Sequence, residues 1–364
     1  MMTQITDPDA PVAPAAAPVR SERDGLWSIS RHADVSAVLR STAFQMASPC
    51  DRIARIAERT GRDYGYLLTL LNGTMLFQDG AAHRANRETV RRLVQRTMTQ
   101  WPEAALRDLA RSIVDALPAP CDPIDVVTML ADPLPLHILA TLLGIGLEDC
   151  RAWRAQAMAV TRSWQPTAAL RDLDACQAAA ASLRAAFPDP DAFGLPAFLL
   201  IAGADSVAGT ISAALDWLAR HPDWQVALRC DPALIPGFIR ETMRLAGPLR
   251  RLNRRVALTP VEIGGTMITA RDIVMLRTDS AHRDPVAFPD PDRMDPARKD
   301  APLLAFGGGA HMCLGPLLGT MEVVVMVEAI LARFQLFPAP ERGQLFDHED
   351  WRIFERLPLR LLSL

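Results

Sequence analysis

The 364-residue chain has six cysteines and no Cys-x-x-Cys pair among them. Cys50, Cys121, Cys150, Cys176, Cys230 and Cys313 are scattered, which argues against a disulfide framework and for reduced thiols in a cytoplasm. Charge of neither sign dominates. With 39 Lys+Arg against 42 Asp+Glu, the formal net charge of −3 offers no electrostatic footprint for nucleic acid. Long apolar runs are missing too: stretches such as LLIAGADSVAG (199–209) meet a charge well short of the roughly 20 residues a membrane span needs. Neither a membrane partner nor a secretory leader is expected. Residues 1–22 are rich in Pro and Ala, contain no apolar block and read as a disordered tail. No internal repeat is visible, and no Gly-x-Gly-x-x-Gly fingerprint follows a strand to mark a dinucleotide site.

What is present is helical periodicity in a composition that is 49% apolar and 22% charged, that of a globular protein. Residues 101–117, 134–145 and 151–164 repeat apolar side chains at three- and four-residue steps. The pattern predicts a long helix from about Pro196 to Arg220, with Leu200, Ala204, Val207, Ile211, Ala214 and Leu218 as its buried stripe. Another helix is expected from about Gly315 to Phe334. Strand signals are short and few, over 254–259, 261–268 and 272–277. Residues 284–299 hold four prolines and must be irregular, although Phe288 and Met294 suggest that they pack. The expected fold is mainly α: a single large helical domain over 23–364 with small β-sheets.

One stretch departs from this plain pattern. Residues 306–315 read FGGGAHMCLG, directly before the last apolar helix. Backbone N–H groups at a helix start lower a thiol's pKa and stabilise thiolate, the form that binds metal. Glycines let the backbone approach a flat, bulky group. One thiolate, no second cysteine nearby and close backbone approach point to haem iron rather than zinc. The other five cysteines read as small buried hydrophobes.

Phe306-Gly307-x-Gly309-x-His311-x-Cys313-x-Gly315 resembles the haem-binding loop of the cytochromes P450 at every fixed position. Further segments resemble that family in the same order, from about Trp27 to the C-terminus. Glu241-Thr242-Met243-Arg244 is similar to its Glu-x-x-Arg element, whose members share a helix face. The resemblance implies that this pair locks onto Arg298 as a structural unit. It also implies that haem b (iron protoporphyrin IX) is buried between the long distal helix and the helix after the Cys loop, with Cys313 as iron ligand. His83, Arg87, Arg255 and His311 would then reach the haem propionates. Soluble bacterial members use dioxygen and two electrons from a ferredoxin or flavodoxin with its reductase. Arg91, Arg92 and Arg96, on the helix of Arg87, are candidates for a patch that an acidic donor would meet.

Ala202-Gly203-Ala204-Asp205-Ser206 stands where the family has Ala/Gly-Gly-x-Asp/Glu-Thr, the proton-delivery segment. Gly203 would allow a local widening of the helix, and Asp205 would gather water. Ser206 keeps the hydroxyl of the usual threonine and loses the methyl that restricts χ1. It either serves with looser control or marks atypical chemistry: peroxide-driven oxidation, oxidative coupling, desaturation or dehydration. The interval 145–201, which in relatives roofs the pocket, is short. A trimmed roof would admit a bulky or carrier-protein-bound substrate; the alternative is simple loss of a helix the pocket does not need. Leu249, Arg251, Leu252, Ile353 and Phe354 are the candidate substrate-pocket residues, and the arginines after Pro248 are unexpected there. The implied activity is monooxygenation of a small organic molecule, in secondary metabolism. A haem-binding scaffold without activity is the remaining reading.

Overall fold

The computed structural model describes residues 12–22, 25–118, 123–187, 189, 193–299 and 302–364. Its helices are α1 His32–Arg40, α2 Cys50–Thr60, α3 Gly65–Gly73, α4 Gly80–Gln100, α5 Glu103–Asp115, α6 Pro133–Leu143 and α7 Leu147–Val160. They continue as α8 Leu170–Ala186, α9 Gly194–Ala202, α10 Asp205–Arg220, α11 Pro222–Cys230, α12 Ile235–Ala246, α13 Thr278–Ala281 and α14 Pro316–Leu331. The strands are β1 Val19–Arg20, β2 Trp27–Ile29, β3 Phe44–Met46, β4 Ile124–Asp125, β5 Arg251–Ala257 and β6 Val261–Ile263. After them come β7 Thr266–Ile268, β8 Ile273–Arg277, β9 Phe334–Pro338, β10 Gln344–Leu345, β11 Phe354–Arg356 and β12 Pro358–Ser363.

By its contacts the chain divides into two compact units, where the sequence suggested one domain. The first comprises residues 1–44, 98–135 and 205–364, the second 45–97 and 136–204. In the first unit four strands run side by side in the order β1-β2-β8-β5, with β2 parallel to β8 and β5 antiparallel to it. Their apolar side chains, among them Ile29, Val274, Leu276 and Ala257, close on Val35 and Val38 of α1 and on Leu304 before the Cys loop. Burial at alternate positions of β8 (Val274 and Leu276) is what a half-covered strand requires. A smaller antiparallel sheet, β4-β12-β9, and the packing of α14 on α5, α10 and α12 complete this core. In the second unit α7 packs on α8 and α9, and α3 on the same two helices.

Four expectations change. The tail ends earlier than residue 22: Val19 and Arg20 pair with Ser28 and Trp27, because the edge of β2 offers free backbone groups, while residues 1–11 lie outside those described. The helix expected from Pro196 to Arg220 is interrupted at Gly203 and Ala204. Of the expected stripe, Leu200, Ala204, Ile211, Ala214 and Leu218 are fully buried and Val207 is half-buried. By length and apolarity the stretch Gly194–Arg220 qualifies as a membrane span, yet 78% of its apolar 18-residue window is buried inside the protein, as in a core helix. Strand β5 begins at Arg251 and ends at Ala257, ahead of Pro260. Finally, Cys150 and Cys176 are buried, but Cys50 at the start of α2 is half-buried and Cys230, last in α11, is exposed. Cys121 lies outside the described residues.

Candidate active site

Residues 304–313 fold back on themselves: the Gly307 N–H donates to Leu304 O and the Cys313 N–H to Phe306 O, each at 2.9 Å. The turn uses φ of +68° at Gly307 and +62° at Gly309. A Cβ on Gly309 would lie 2.1 Å from Leu39 O in α1, an impossible approach to backbone. Gly308 is extended at φ −172°, and a Cβ there would meet the Leu39 side chain at an ordinary 3.4 Å. Gly308 is also the free position of the motif. Gly309→Ala is therefore expected to cost about 1–2 kcal/mol from the dihedral alone, with the clash in addition, and Gly308→Ala little. Thermal midpoints and haem content of the two variants check this ordering.

Past the loop, Pro316 opens α14 at its first position, where no N–H is needed. The Gly315 N–H donates to Cys313 Sγ at 3.3 Å, and the side chain is exposed. Cys150 and Cys176 contrast with it, because burial pushes both thiols up to about 11. Helix α14 lies close to α10: a Cβ on Gly319 would sit 3.2 Å from Val207 Cγ2, one residue after Ser206. Asp205 is buried and Ser206 half-buried in the first turn of α10, where the Ser206 carbonyl accepts from Thr210 Oγ1 at 2.8 Å. One turn on, a Cβ at Gly209 would fall 2.6 Å from Ile353 Cγ2 and 3.0 Å from Pro248 Cβ. The Cys loop, Asp205, Ser206 and Ile353 thus belong to one unit around α10 and α14.

Arg255 is buried in β5 opposite Val274, and Phe306 and His311 are half-buried in the loop. His83 (buried) and Arg87 (half-buried) lie on α4 in the second unit, with Ala202 and Gly203. The other pocket candidates have different partners. Leu252 packs against the sheet core, and Arg251 faces Glu349 at 3.5 Å and Asp350 at 3.9 Å. Phe354 pairs with Leu345 and covers Gly343, and Leu249 bridges to Trp351. On α4, Arg91 and Arg92 both bind Glu88 at 2.8 Å, which holds that carboxyl down at about 2. Part of the expected basic patch is thereby neutralised within its own helix.

The structure brings Glu241, Arg244 and Arg298 together. Arg244 grips Glu241 through two bonds of 2.8 Å, and Arg298 Nε donates to Glu241 Oε2 at 3.2 Å. Arg244 also donates to the carbonyls of His282 at 2.8 Å, Arg293 at 2.9 Å, and Pro291. Arg298 donates to Pro289 O at 2.6 Å. These bonds satisfy the irregular segment 284–299, which has no ladder to do so.

Sequence reasoning missed His282. Its Nε2 accepts the Leu304 N–H at 2.9 Å, and burial first, then His32 and neighbouring arginines, pulls its pKa down to about 3, so the ring is neutral. His32 supports the same stretch through Pro302 O at 2.8 Å. Their only signal in the sequence was the need of a buried, proline-rich segment for side-chain partners.

A haem suits this donor set. Among the described residues no three His, Cys, Asp or Glu side chains converge to hold a metal, so an iron held through Cys313 would have to bring further ligands of its own, as a porphyrin supplies. The exposed sulfur with its N–H donor would suit an iron, and the buried, cationic Arg255 would suit a carboxylate of such a group.

Fold and loop together place the chain among haem-dependent, oxygen-activating enzymes. It is a member of the cytochrome P450 family, of the bacterial type: an oxidoreductase with a monooxygenase's chemistry. The family model described as Cytochrome P450 matches residues 233–360. The chain is 32% identical to cytochrome P450 monooxygenase PikC of Streptomyces venezuelae over 291 residues, covering 72% of this chain and 69% of that one. It is 31% identical to erythromycin C-12 hydroxylase of Saccharopolyspora erythraea, covering 94% and 89%. Its fold matches P450BioI, solved with a fatty-acyl carrier protein, at TM-score 0.79 and 24% identity over 93% of each chain.

Proposed function

We propose that this enzyme monooxygenates a small organic substrate in secondary metabolism, with Cys313 Sγ ligating the iron of haem b. The single observation that carries this reading is the exposed Cys313 sulfur, in a loop whose α14 lies against the Asp205-Ser206 turn of α10. Bound haem supplies the activation of dioxygen that no side chain can. The chain's residues do the rest. The Gly315 N–H donates to the sulfur and steadies its charge, and Phe306, whose carbonyl holds the Cys313 N–H, keeps the loop closed. Arg255 and His311, and by family resemblance His83 and Arg87, pair with the propionates. Asp205, buried at the start of α10, relays protons to the Ser206 hydroxyl, which passes them to the oxygen side. The residues around Gly209, Ile353 among them, border the substrate.

The electron donor in this reading is a ferredoxin or flavodoxin. The short interval 145–201 and the carrier-protein complex known for P450BioI support a substrate presented on a carrier protein, and the protein is proposed to work in the cytoplasm. Ser206 in the threonine's place favours, as the second reading, a peroxide-driven or otherwise atypical oxidation. Holoprotein supplied with dioxygen and reduced ferredoxin should give oxygenated product, and peroxide alone little. Ser206→Ala should lower the ratio of product to reductant consumed by about tenfold, the low end of what a positioned proton donor contributes, and Ser206→Thr should raise it. Product with peroxide alone, together with an unchanged ratio in Ser206→Ala, would assign the second reading.

A further inference from the structure

Helix α14 carries two acidic residues, and their surroundings differ. Glu328 is half-buried and pairs with Arg107 of α5. Glu322 is only 2% exposed, and its Oε2 is shut off from solvent with no hydrogen-bond partner among the described residues. Leu318, Val325, Met326 and Ala329, three, four or seven positions away and so on the same side of the helix, are buried with it. The elements packed against α14 are α5, α10, α11, α12 and β9. On α5, Arg107 binds Glu103 and Glu328, Arg111 binds Asp108, and Asp115 binds Arg333. On α10, Asp205 lies in the first turn and Asp216 binds Arg220. On α12, Glu241 binds Arg244 at 2.8 Å, and Arg240 donates to Arg298 O at 2.7 Å. On α11, Asp223 is exposed and Arg229 donates to the carbonyls of Leu331 and Phe334, while β9 has no charged residue. None of these groups acts on Glu322. Burial alone drives its pKa well above the ordinary carboxyl value.

A carboxylate enclosed by apolar side chains without a cation loses far more solvation than the neutral acid does, so the group keeps its proton. To ionise, Glu322 must reach water, and α14 has to shift to let it. We propose that Glu322 is a proton-operated latch on α14: as the neutral acid it stays within the packing, and its ionisation loosens the helix that begins three residues after Cys313, and the Cys loop with it. In the unfolded chain this carboxyl titrates near its ordinary 4.5, whereas in the fold it holds its proton to higher pH. Its contribution to stability is therefore full below about pH 4.5 and drains away as pH rises, until the folded group has itself ionised.

The test follows urea unfolding of holoprotein by tryptophan fluorescence, and haem retention by the Soret band, from about pH 5 to about pH 9, a range that spans the expected loss. Glu322→Gln keeps the shape of the side chain and cannot ionise. Its advantage over the parent should be smallest near the acid end and widen as pH rises, the ratio of the two unfolding constants growing by up to about tenfold per pH unit. Pigment should leave the parent at lower pH than it leaves Glu322→Gln. Glu328→Gln, on the same helix but in a paired and half-buried position, should show no such widening. The infrared spectrum of the parent at neutral pH should contain a protonated-carboxyl band that Glu322→Gln lacks. The pigment readout rests on the Cys313 ligation proposed above; the fluorescence and infrared readouts do not, so a failed latch and a wrong ligand give different results. A difference between Glu322→Gln and the parent that is constant with pH, or that closes as pH rises, would overturn the proposal. Should Glu322→Gln fail to fold, a parent spectrum without any protonated-carboxyl band at neutral pH would overturn it equally.

Discussion

Cys313→Ala, purified under conditions that give pigmented parent protein, should lose the far-red-displaced Soret band of the reduced carbon monoxide complex and its turnover. Groups that merely orient a metal ligand are worth about 10–100-fold, so loss of the ligand itself should exceed that. Two properties make the effect specific to this sulfur. Cys313 is exposed and receives the Gly315 N–H, while Cys150 and Cys176 are buried with thiols pushed up to about 11. Cys150→Ala should therefore leave the band in place and change stability only by the packing of a small side chain. Cys313→Ser separates ligation from shape, since it fits the same loop with a poorer donor. Should Cys313→Ala retain the parent's band, the assignment of the ligand and every role built around α14 would be wrong.

The Cys loop was legible because its tight backbone imposes a local pattern. The positive φ at Gly307 and Gly309, and the close pass of Leu39 O, each demand glycine within a few residues of the sulfur. The long apolar stripe of α9 and α10 was legible for the same reason of short range, and its interruption at Gly203 and Ala204 was half visible in the glycine. Residues whose roles depend on distant partners were not. Arg251 read as a substrate-pocket residue and faces Glu349 and Asp350, about a hundred positions later. His282 carried no pattern at all; only the fold reveals that its ring accepts the Leu304 N–H. Leu252 read as pocket because of its place after Pro248, while in the fold it packs against the sheet core, past a register shift in β5 between Leu252 and Arg255. Sequence adjacency predicts chemistry confined to one turn or loop, and fails where a side chain's partner is chosen by tertiary packing.

The second large effect concerns stability. Arg244→Ala should destabilise the folded holoprotein by about 3–5 kcal/mol, the cost of breaking a buried pair from one side. Arg244 and Glu241 are each 2% exposed, so solvent cannot replace what is removed. Alanine would leave Glu241 with Arg298 as its remaining cation and strip the carbonyls of His282, Pro291 and Arg293 of a donor. It would also uncover Phe288, over whose ring the guanidinium lies at 5.2 Å.

Against a total stability of roughly 5–15 kcal/mol, such a loss decides whether the chain folds at growth temperature. The loosened segment leads to Pro302 and Leu304, which hold the Cys loop, so haem retention should fall along with the unfolding midpoint. Arg244→Lys keeps the charge but cannot hold Glu241 and three carbonyls at once, and should recover only part of the loss. Arg333→Ala, which breaks an exposed pair with Asp115, provides the comparison and should move the midpoint little. If denaturant unfolding of Arg244→Ala matches the parent within about 1 kcal/mol, well below the expected cost of an orphaned buried charge, the cluster is not what secures the loop.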